Sequence, residues 1–525
     1  MTSVYCIKKT SLSLLLGIVL QYGQAQFTLQ EPKHSRAPTA TKTRLKDPVV
    51  IAENGPAIVT GQCDGFSNSR AYVNGGATGT GDGTSWANAF VSLATTLNVV
   101  ANCPVIKEIW VAKGVYKPDG PGGSRFATFN VPAGVRLFGG FAGTETDYSQ
   151  RDFHSIHTNN LTKLSGDLNG DDGPNFSNNS DNSISVVKFV SGLNDTFIDG
   201  FTVSDGNAAA SGGGVNITAG SPGIYNCIIS GNFAAVRGGG MLIYGGSPYI
   251  RNTIFIGNKS QSGGAIHNMG IPGGIMRVLI NNCLFINNVS TGKGAILYSQ
   301  APATNSSVFV TAISNSFSGN TAATGETFYN AAEVSGSTAK VTLSNNIFWG
   351  NGGANTMASS AASGATATII SDYSLYEPMV TGYTGANNLT ALENPFASAT
   401  DLHVICNGPL NGINLGNGSN IGTISGSPSL DLDNNSRPAV FGNLVDIGAY
   451  EKPVSMTWLG LSTNWSSTSN WSGHVLPDAC TDIIVDAGVP NGPFVTGVSN
   501  IVKSLRVNSG AIVTVATGAT LTVTK

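Results

Sequence analysis

Charged side chains are scarce. Asp, Glu, Lys and Arg supply 11% of the 525 residues, where an ordinary soluble chain carries about 25%. The 27 basic and 30 acidic groups leave a formal net charge of −3, so no basic field exists to attract nucleic acid or an anionic lipid surface. Long apolar runs are missing as well. The stretch 12–20 is too short to span a bilayer and no other stretch could, so no transmembrane segment is expected in the mature chain. Acidic residues almost vanish from the middle of the sequence, where residues 211–351 hold only Glu326 and Glu333. That removes the paired carboxylates of a glycoside hydrolase and the carboxylate-held Ca²⁺ of a polysaccharide lyase from this region. Arg237, Arg251, Lys259, Arg277 and Lys293 are there without an evident acidic partner in their own repeats.

What fills the region instead is a repeat. Gly212-Gly213-Gly214-Val215 returns as Gly238-Gly239-Gly240-Met241, Gly263-Gly264-Ala265-Ile266, Lys293-Gly294-Ala295-Ile296 and Gly325-Glu326-Thr327-Phe328. Each is followed by an apolar residue with Asn three positions on: Ile229/Asn232, Phe255/Asn258, Phe285/Asn288, Phe317/Asn320 and Phe348/Asn351. A period of this length marks a solenoid, whose coils bury their apolar faces only against one another. Short alternating runs such as Val215/Ile217 and Met241/Ile243 read as strands, and Ser221-Pro222 and Ser247-Pro248 break any helix before the next run. The expected fold is all-β: a right-handed parallel β-helix. Glycines suit its tight corners, and the recurrent Asn suits a side-chain ladder between coils.

Flanking segments complete the plan. Lys8-Lys9, the apolar run 12–20 and Gly23-Gln24-Ala25 predict a signal peptide over 1–25, cleaved before Gln26. Residues 26–69 lack periodicity and read as a flexible leader. Thr84 or Ser85 is placed to cap a helix with Trp86, Phe90, Leu93, Leu97 and Val100 on one face, which would close the open N-terminal end of the coils. The β-helix is expected over 70–452, closing near 445–451, with Pro453 at the boundary. A small C-terminal β-module follows over 455–525, in which Trp458, Trp465 and Trp471 read as core. Its strand pattern still runs at Lys525, so its last edge is expected to be continued by more chain or covered by a partner.

Of the seven cysteines, Cys6 belongs to the signal peptide. Cys63 and Cys103 flank one local unit and can pair. Cys227 and Cys283 hold the same repeat position two coils apart, about 9.6 Å by the strand spacing. That exceeds the ~7 Å limit between bridged Cα atoms, so both are expected to be free, buried thiols. Cys406 and Cys480 stay open.

The motifs resemble a known family. Tyr72-Val73-Asn74 with the stretches 83–89 and 108–118, then 138–146, 149–152 and 164–167, resemble the opening block of secreted right-handed β-helix repeat proteins of Bacteroidetes type, and 446–451 resembles their closing motif. The Gly-Gly-Ala-Ile and Phe-x-x-Asn repeats are similar to those of chlamydial polymorphic outer-membrane proteins. The resemblance covers residues 70–452 and implies a pectate-lyase-like fold, a secreted or outer-membrane-surface location and a hint of adhesion; it implies no particular activity.

Candidate sites are few. Asp167, Asn169 and Asp171 space oxygen ligands at alternate positions, as Ca²⁺ loops do, although Asp172 and Asn178 depart from an EF-hand. Asp431-Leu432-Asp433-Asn434-Asn435 is a weaker copy. No cofactor is otherwise required. His154 and His157 lack the further ligands a zinc site needs. If Ile266 faces inward, His267 faces out, and Asn216, Leu242, Leu297 and Tyr329 are its equivalents, a strip able to meet a glycan or a protein on a host or neighbouring cell. The leading expectation is a non-catalytic, exported surface protein that binds along such a face. A polysaccharide lyase or hydrolase, with acidic loop 167–181 meeting a basic side chain of the next coil, is the alternative, and a structural spacer the third.

Overall fold

In the computed structural model the described residues are 63, 66, 69–191, 195–352, 356–378, 380–404, 430–433, 435, 437, 446–451 and 455–524. The expected signal peptide, nearly all of the leader, Cys406 and Val445 lie outside them.

The chain winds into a right-handed parallel β-solenoid of about 11 turns. Three long sheets line it. The first holds ten strands, from Arg70–Val73 through Gly223–Tyr225, Tyr249–Arg251 and Ile275–Asn281 to Thr366–Asp372. The second also holds ten and includes Ile228–Ser230, Ile254–Ile256, Leu284–Ile286 and Ile347–Trp349. The third holds eight, among them Val215–Ile217, Met241–Tyr244, Ile266–Met269, Leu297–Ala301 and Phe328–Ala332. Pairing is parallel and in register from coil to coil.

The repeat signatures have distinct jobs. The first glycine of each signature is left-handed, with φ of 75°, 63°, 68°, 70° and 94° at Gly212, Gly238, Gly263, Gly294 and Gly325. In the first three signatures the second position, Gly213, Gly239 or Gly264, also approaches the next coil too closely for a side chain: a Cβ on Gly264 would stand 2.5 Å from the Val289 carbonyl oxygen, whereas Ala295 and Glu326 hold that place in the last two. Glycine alone satisfies both demands. Ile229, Phe255, Phe285, Phe317 and Phe348 point inward, and the Phe285 ring stacks on Phe255 at 4.9 Å and on Phe317 at 5.0 Å. These distances match the ~4.8 Å strand spacing, so one coil's geometry imposes the next.

Ser92 caps the N-terminal helix, which runs over Leu93–Ala101 and buries Leu93, Leu97 and Val100. It packs on the first coil through Phe66, Ala71 and Val73, beside the Cys63–Cys103 disulfide. The expected start at Thr84 is corrected. The Thr84 hydroxyl and N–H both donate to Asp82, a local turn that competes with helix, and Phe90 forms a bridge to Val73. Trp86 therefore lies off the helix, packed against Tyr72 and Phe141 and donating its ring N–H to the Glu145 carbonyl at 2.8 Å.

The expected closure of the β-helix at 445–451 also differs. Ile447 and Ala449 lie against the outer face of the second sheet, in a cluster with Leu284, Ile286, Ile347, Leu375, Phe396 and Leu402. The Gly448 N–H donates to the Asn345 carbonyl at 2.8 Å, and that of Ala449 to the Ser316 hydroxyl at 3.1 Å. This segment is a strap. It is needed because Ile254-Phe255-Ile256 and Leu284-Phe285-Ile286 are apolar on both faces.

The C-terminal module is a second stack of parallel strands. Ser455–Thr457, Asp482–Val485 and Ser504–Val507 form one sheet, and Phe494–Val495 with Thr514–Val515 and Asn500–Val502 with Leu521–Val523 form two more. Trp458, Trp465 and Trp471 are its buried core, as expected. Cys227 and Cys283 are free and buried, with Thr253 at the corresponding turn of the coil between them. Burial pushes both thiols up to about 12. Cys480 is disulfide-bonded.

Candidate functional site

Three places collect side chains able to do chemistry or binding. The first is the outer face of the third sheet. Asn216, Leu242 and His267 hold one register position on consecutive strands, and the row continues through Tyr298 to Tyr329. Leu297 is not in it. It pairs with Ile266 and Phe328 on the inner face and is 1% exposed. The reason is a slip of one residue: left-handed Gly294 is the counterpart of Gly263, not of Gly264, and one step flips a strand residue to the other face. Tyr298 is the ladder member that the sequence pattern missed.

His267 faces outward yet is 1% exposed, because its ring stacks on Tyr298 at 4.8 Å and its Nε2 sits 3.2 Å from Gln300 Oε1. Burial, reinforced by Arg237, pulls its pKa down to about 3, so it is neutral at ordinary pH. Tyr298 meets Tyr329 at 5.1 Å, and Lys293 Nζ lies 3.9 Å above the Tyr329 ring. Lys293 also has an acidic neighbour after all, Glu326 at 3.9 Å. Burial raises Tyr298 to about 12. Both His267 and Tyr298 are thus shifted away from neutrality. The row offers flat ring faces with amide, ammonium and carboxylate groups at the rim, which is a binding chemistry.

The second place is the acidic loop. Asp167, Asp171 and Asp181 each bring a carboxylate oxygen within 4.8 Å of the others. Asn169 serves the loop instead: its Oδ1 accepts from the Gly122 N–H at 3.0 Å and its own N–H donates to Asp181 at 2.9 Å. Two of the three sequence-chosen ligands thus converge, and Asp181 replaces the third. Ten residues separate it from Asp171, so a spacing pattern could not find it. Burial, with Asp167, Asp205 and Asp181 nearby, raises Asp172 to about 6. Lys117 reaches the loop but donates to the Leu168 carbonyl at 3.2 Å. The carboxylate oxygens suit a hard cation such as Ca²⁺.

The third is a pocket of about 380 Å³ between the strap and the C-terminal module, lined among others by Asp401, His403, Tyr450, Glu451, His474 and Asp478. His403 is held between Asp401, at Nδ1, and Asp433, 2.6 Å from Nε2, and its ring stacks on Tyr450 at 3.9 Å. Burial opposes its charge, but the two carboxylates prevail and lift its pKa to about 9. Burial raises Glu451 although Arg437 lies 2.8 Å away. The weaker Asp431 loop is committed to the strap, where Asp431 accepts from the N–H groups of Asp433, Asn435 and Glu451. His154 meets His474 with ring centroids 3.7 Å apart and the rings tilted by 31°.

The chain matches no protein-family model, and no curated protein matches it.

Proposed function

We propose that the protein is a non-catalytic, exported β-helix protein of the cell surface that binds a glycan or a protein along the outer face of its third sheet. One observation carries this reading: half-buried Leu242, Tyr298 and Tyr329, with buried His267 stacked against Tyr298, form one row of rings and apolar surface across four consecutive coils, with Lys293 and Glu326 at its edge. A repeat fold presents equivalent positions at fixed intervals, which suits extended ligands. The N-terminal charge and apolar pattern of residues 8–25 supports export. Ca²⁺ on Asp167, Asp171 and Asp181 would brace the adjoining loop. The test is a glycan array probed with the mature protein beside a Tyr298→Ala/Tyr329→Ala variant. Binding by the parent and loss in the variant support the reading; identical profiles sink it.

A polysaccharide-cleaving enzyme is the second reading, and the terminal pocket favours it. There Glu451, whose pKa burial raises against the pull of Arg437, lines the same cavity as Asp401, whose pKa the hydrogen bond to His403 lowers, and glycoside hydrolysis uses two carboxyl groups in such unlike environments. Product release from acidic and neutral polysaccharides, abolished by Glu451→Gln in a folded variant, would establish it.

A further inference from the structure

The pocket between the strap and the C-terminal module has two unlike kinds of lining. Met456, Val475 and Leu476 bring apolar surface from the module, and Leu476 is exposed. The ionisable part is acidic: Asp401, Asp446, Glu451 and Asp478 line the cavity, and among the described residues no lysine or arginine does. Its volume of about 380 Å³ is that of a small-molecule site.

The cations nearby are already engaged. Arg437 lies 2.8 Å from Glu451 and donates to the Asp446 and Gly448 carbonyls at 3.1 and 2.9 Å. His403, charged at neutrality, sits between Asp401 and Asp433, and two carboxylates against one imidazolium leave negative charge in excess. That excess has a place. Asp401 meets the His403 N–H and ring Nδ1 through Oδ1 alone, and its Oδ2 has no partner among the described residues. A carboxylate offers about four acceptor positions, so this one is far from saturated. His474 lines the cavity too; burial, with His154 beside it, lowers its pKa, so it adds an imidazole without a charge.

We infer that this pocket binds a small organic ammonium ion, with its charged end at Asp401 and its carbon body against Met456, Val475 and Leu476. An ammonium group brings three N–H donors and no acceptor, which suits a carboxylate with open positions. Hydrogen bonds between ionised partners are the stronger kind, and a partly enclosed site strengthens them further. A neutral ligand of the same shape keeps the apolar contacts and forfeits this attraction, and an anion is repelled. Two sources share the chemistry, a free aliphatic amine and an amino sugar. The inference does not rest on polysaccharide cleavage in the same cavity, because a bound amine need lose no bond there.

The test titrates the full chain calorimetrically with hexylamine beside hexanol and with glucosamine beside glucose. The expected result is saturable binding of an amine, tighter than its neutral counterpart by about tenfold or more. A preference for hexylamine marks an aliphatic amine as the ligand class, and a preference for glucosamine an amino sugar. Leu476→Trp fills the cavity from its exposed edge with every charge in place and should abolish binding, Asp401→Asn should weaken it by about tenfold, and Tyr329→Ala on the third sheet should change nothing. The comparison of ligands on the parent chain decides the matter even where a variant fails to fold. No saturation by either amine at millimolar concentration, neutral counterparts that bind as tightly as the amines, or undiminished binding by folded Leu476→Trp would each overturn the inference. Hexylamine has no glycosidic bond, so its binding is read independently of the Glu451→Gln cleavage test.

Discussion

The side-chain amide of Asn258 donates to Asn288 Oδ1 at 3.0 Å, and the same oxygen accepts the backbone N–H of Asn258 at 3.1 Å. The second amide hydrogen goes to the Ile229 carbonyl at 2.8 Å. The pattern repeats from Asn232 through Asn320 to Asn351, so a buried polar column is fully satisfied by its own translation. Asn258→Ala takes the acceptor from the Asn232 N–H and side-chain amide, the amide donor from the Ile229 carbonyl, and one of the two donors from Asn288 Oδ1. Each buried group left unmet costs about 1–3 kcal/mol, and the expected loss in urea-induced unfolding is therefore about 3 kcal/mol or more. Asn351→Ala, at the end of the column, should cost less. Equal losses at both positions would mean that the ladder is not cooperative.

That column was legible in the sequence because one residue type recurs at one place. The neighbouring ladder was not, because Cys227, Thr253, Cys283, Asn315, Asn346 and Ser374 share the task of bonding from coil to coil with unlike side chains. The outer row was read correctly at Asn216, Leu242, His267 and Tyr329 and wrongly at Leu297. Lys293 precedes a single glycine where the repeat before it has two, and the left-handed φ of 70° at Gly294 fixes the alignment. The strap was signalled by strands apolar on both faces, but which later segment would cover them depends on tertiary contacts that no local pattern encodes. The same holds for Asp181 in the acidic loop.

Calcium should act through the converging carboxylates and not through the alternate-position pattern. Millimolar Ca²⁺ is expected to raise the melting temperature of the parent chain and of Asn169→Ala, and to leave Asp181→Asn unchanged. Occupancy would also lower the Asp172 pKa from about 6, since a cation offsets the neighbouring carboxylates that raise it. Calorimetric scans with Ca²⁺ and with chelator provide the comparison. An Asp181→Asn variant stabilised like the parent would refute the assigned ligands.

The strap should loosen in alkali. His403 titrates near 9 in the folded chain against an ordinary 6.5. Its folded pKa is the higher one, so its contribution is complete below about 6.5 and disappears as pH rises through 9. Asp431, raised to about 6 by burial, acts in the same sense at lower pH: its contribution is complete below about 4 and is gone above 6. Melting temperatures recorded between pH 6.5 and 9.5 should fall more steeply for the parent than for His403→Gln, and parallel curves would show that the Asp401–His403–Asp433 contact does not bear on stability.

Inside the solenoid the column Ile217–Ile243 is continued by Asn268, Ser299 and Asn330. All three are buried. Both polar atoms of Asn268, the Ser299 hydroxyl and Asn330 Oδ1 have no protein partner. Asn330 still donates to the Ala339 and Thr368 carbonyls at 2.8 and 3.0 Å, so it is anchored, whereas Asn268 is not. Leucine has nearly the shape of asparagine and extends the aliphatic column. Because removing an unmet buried group is favourable when nothing else loses a partner, Asn268→Leu is expected to stabilise the protein by about 1–3 kcal/mol. Urea denaturation of Asn268→Leu beside Asn330→Leu provides the contrast, with the second variant expected to be destabilised by the two carbonyls it abandons. Destabilisation by Asn268→Leu as well would mean that bound water completes the Asn268 amide, and that the interior of these coils is hydrated where it looks dry.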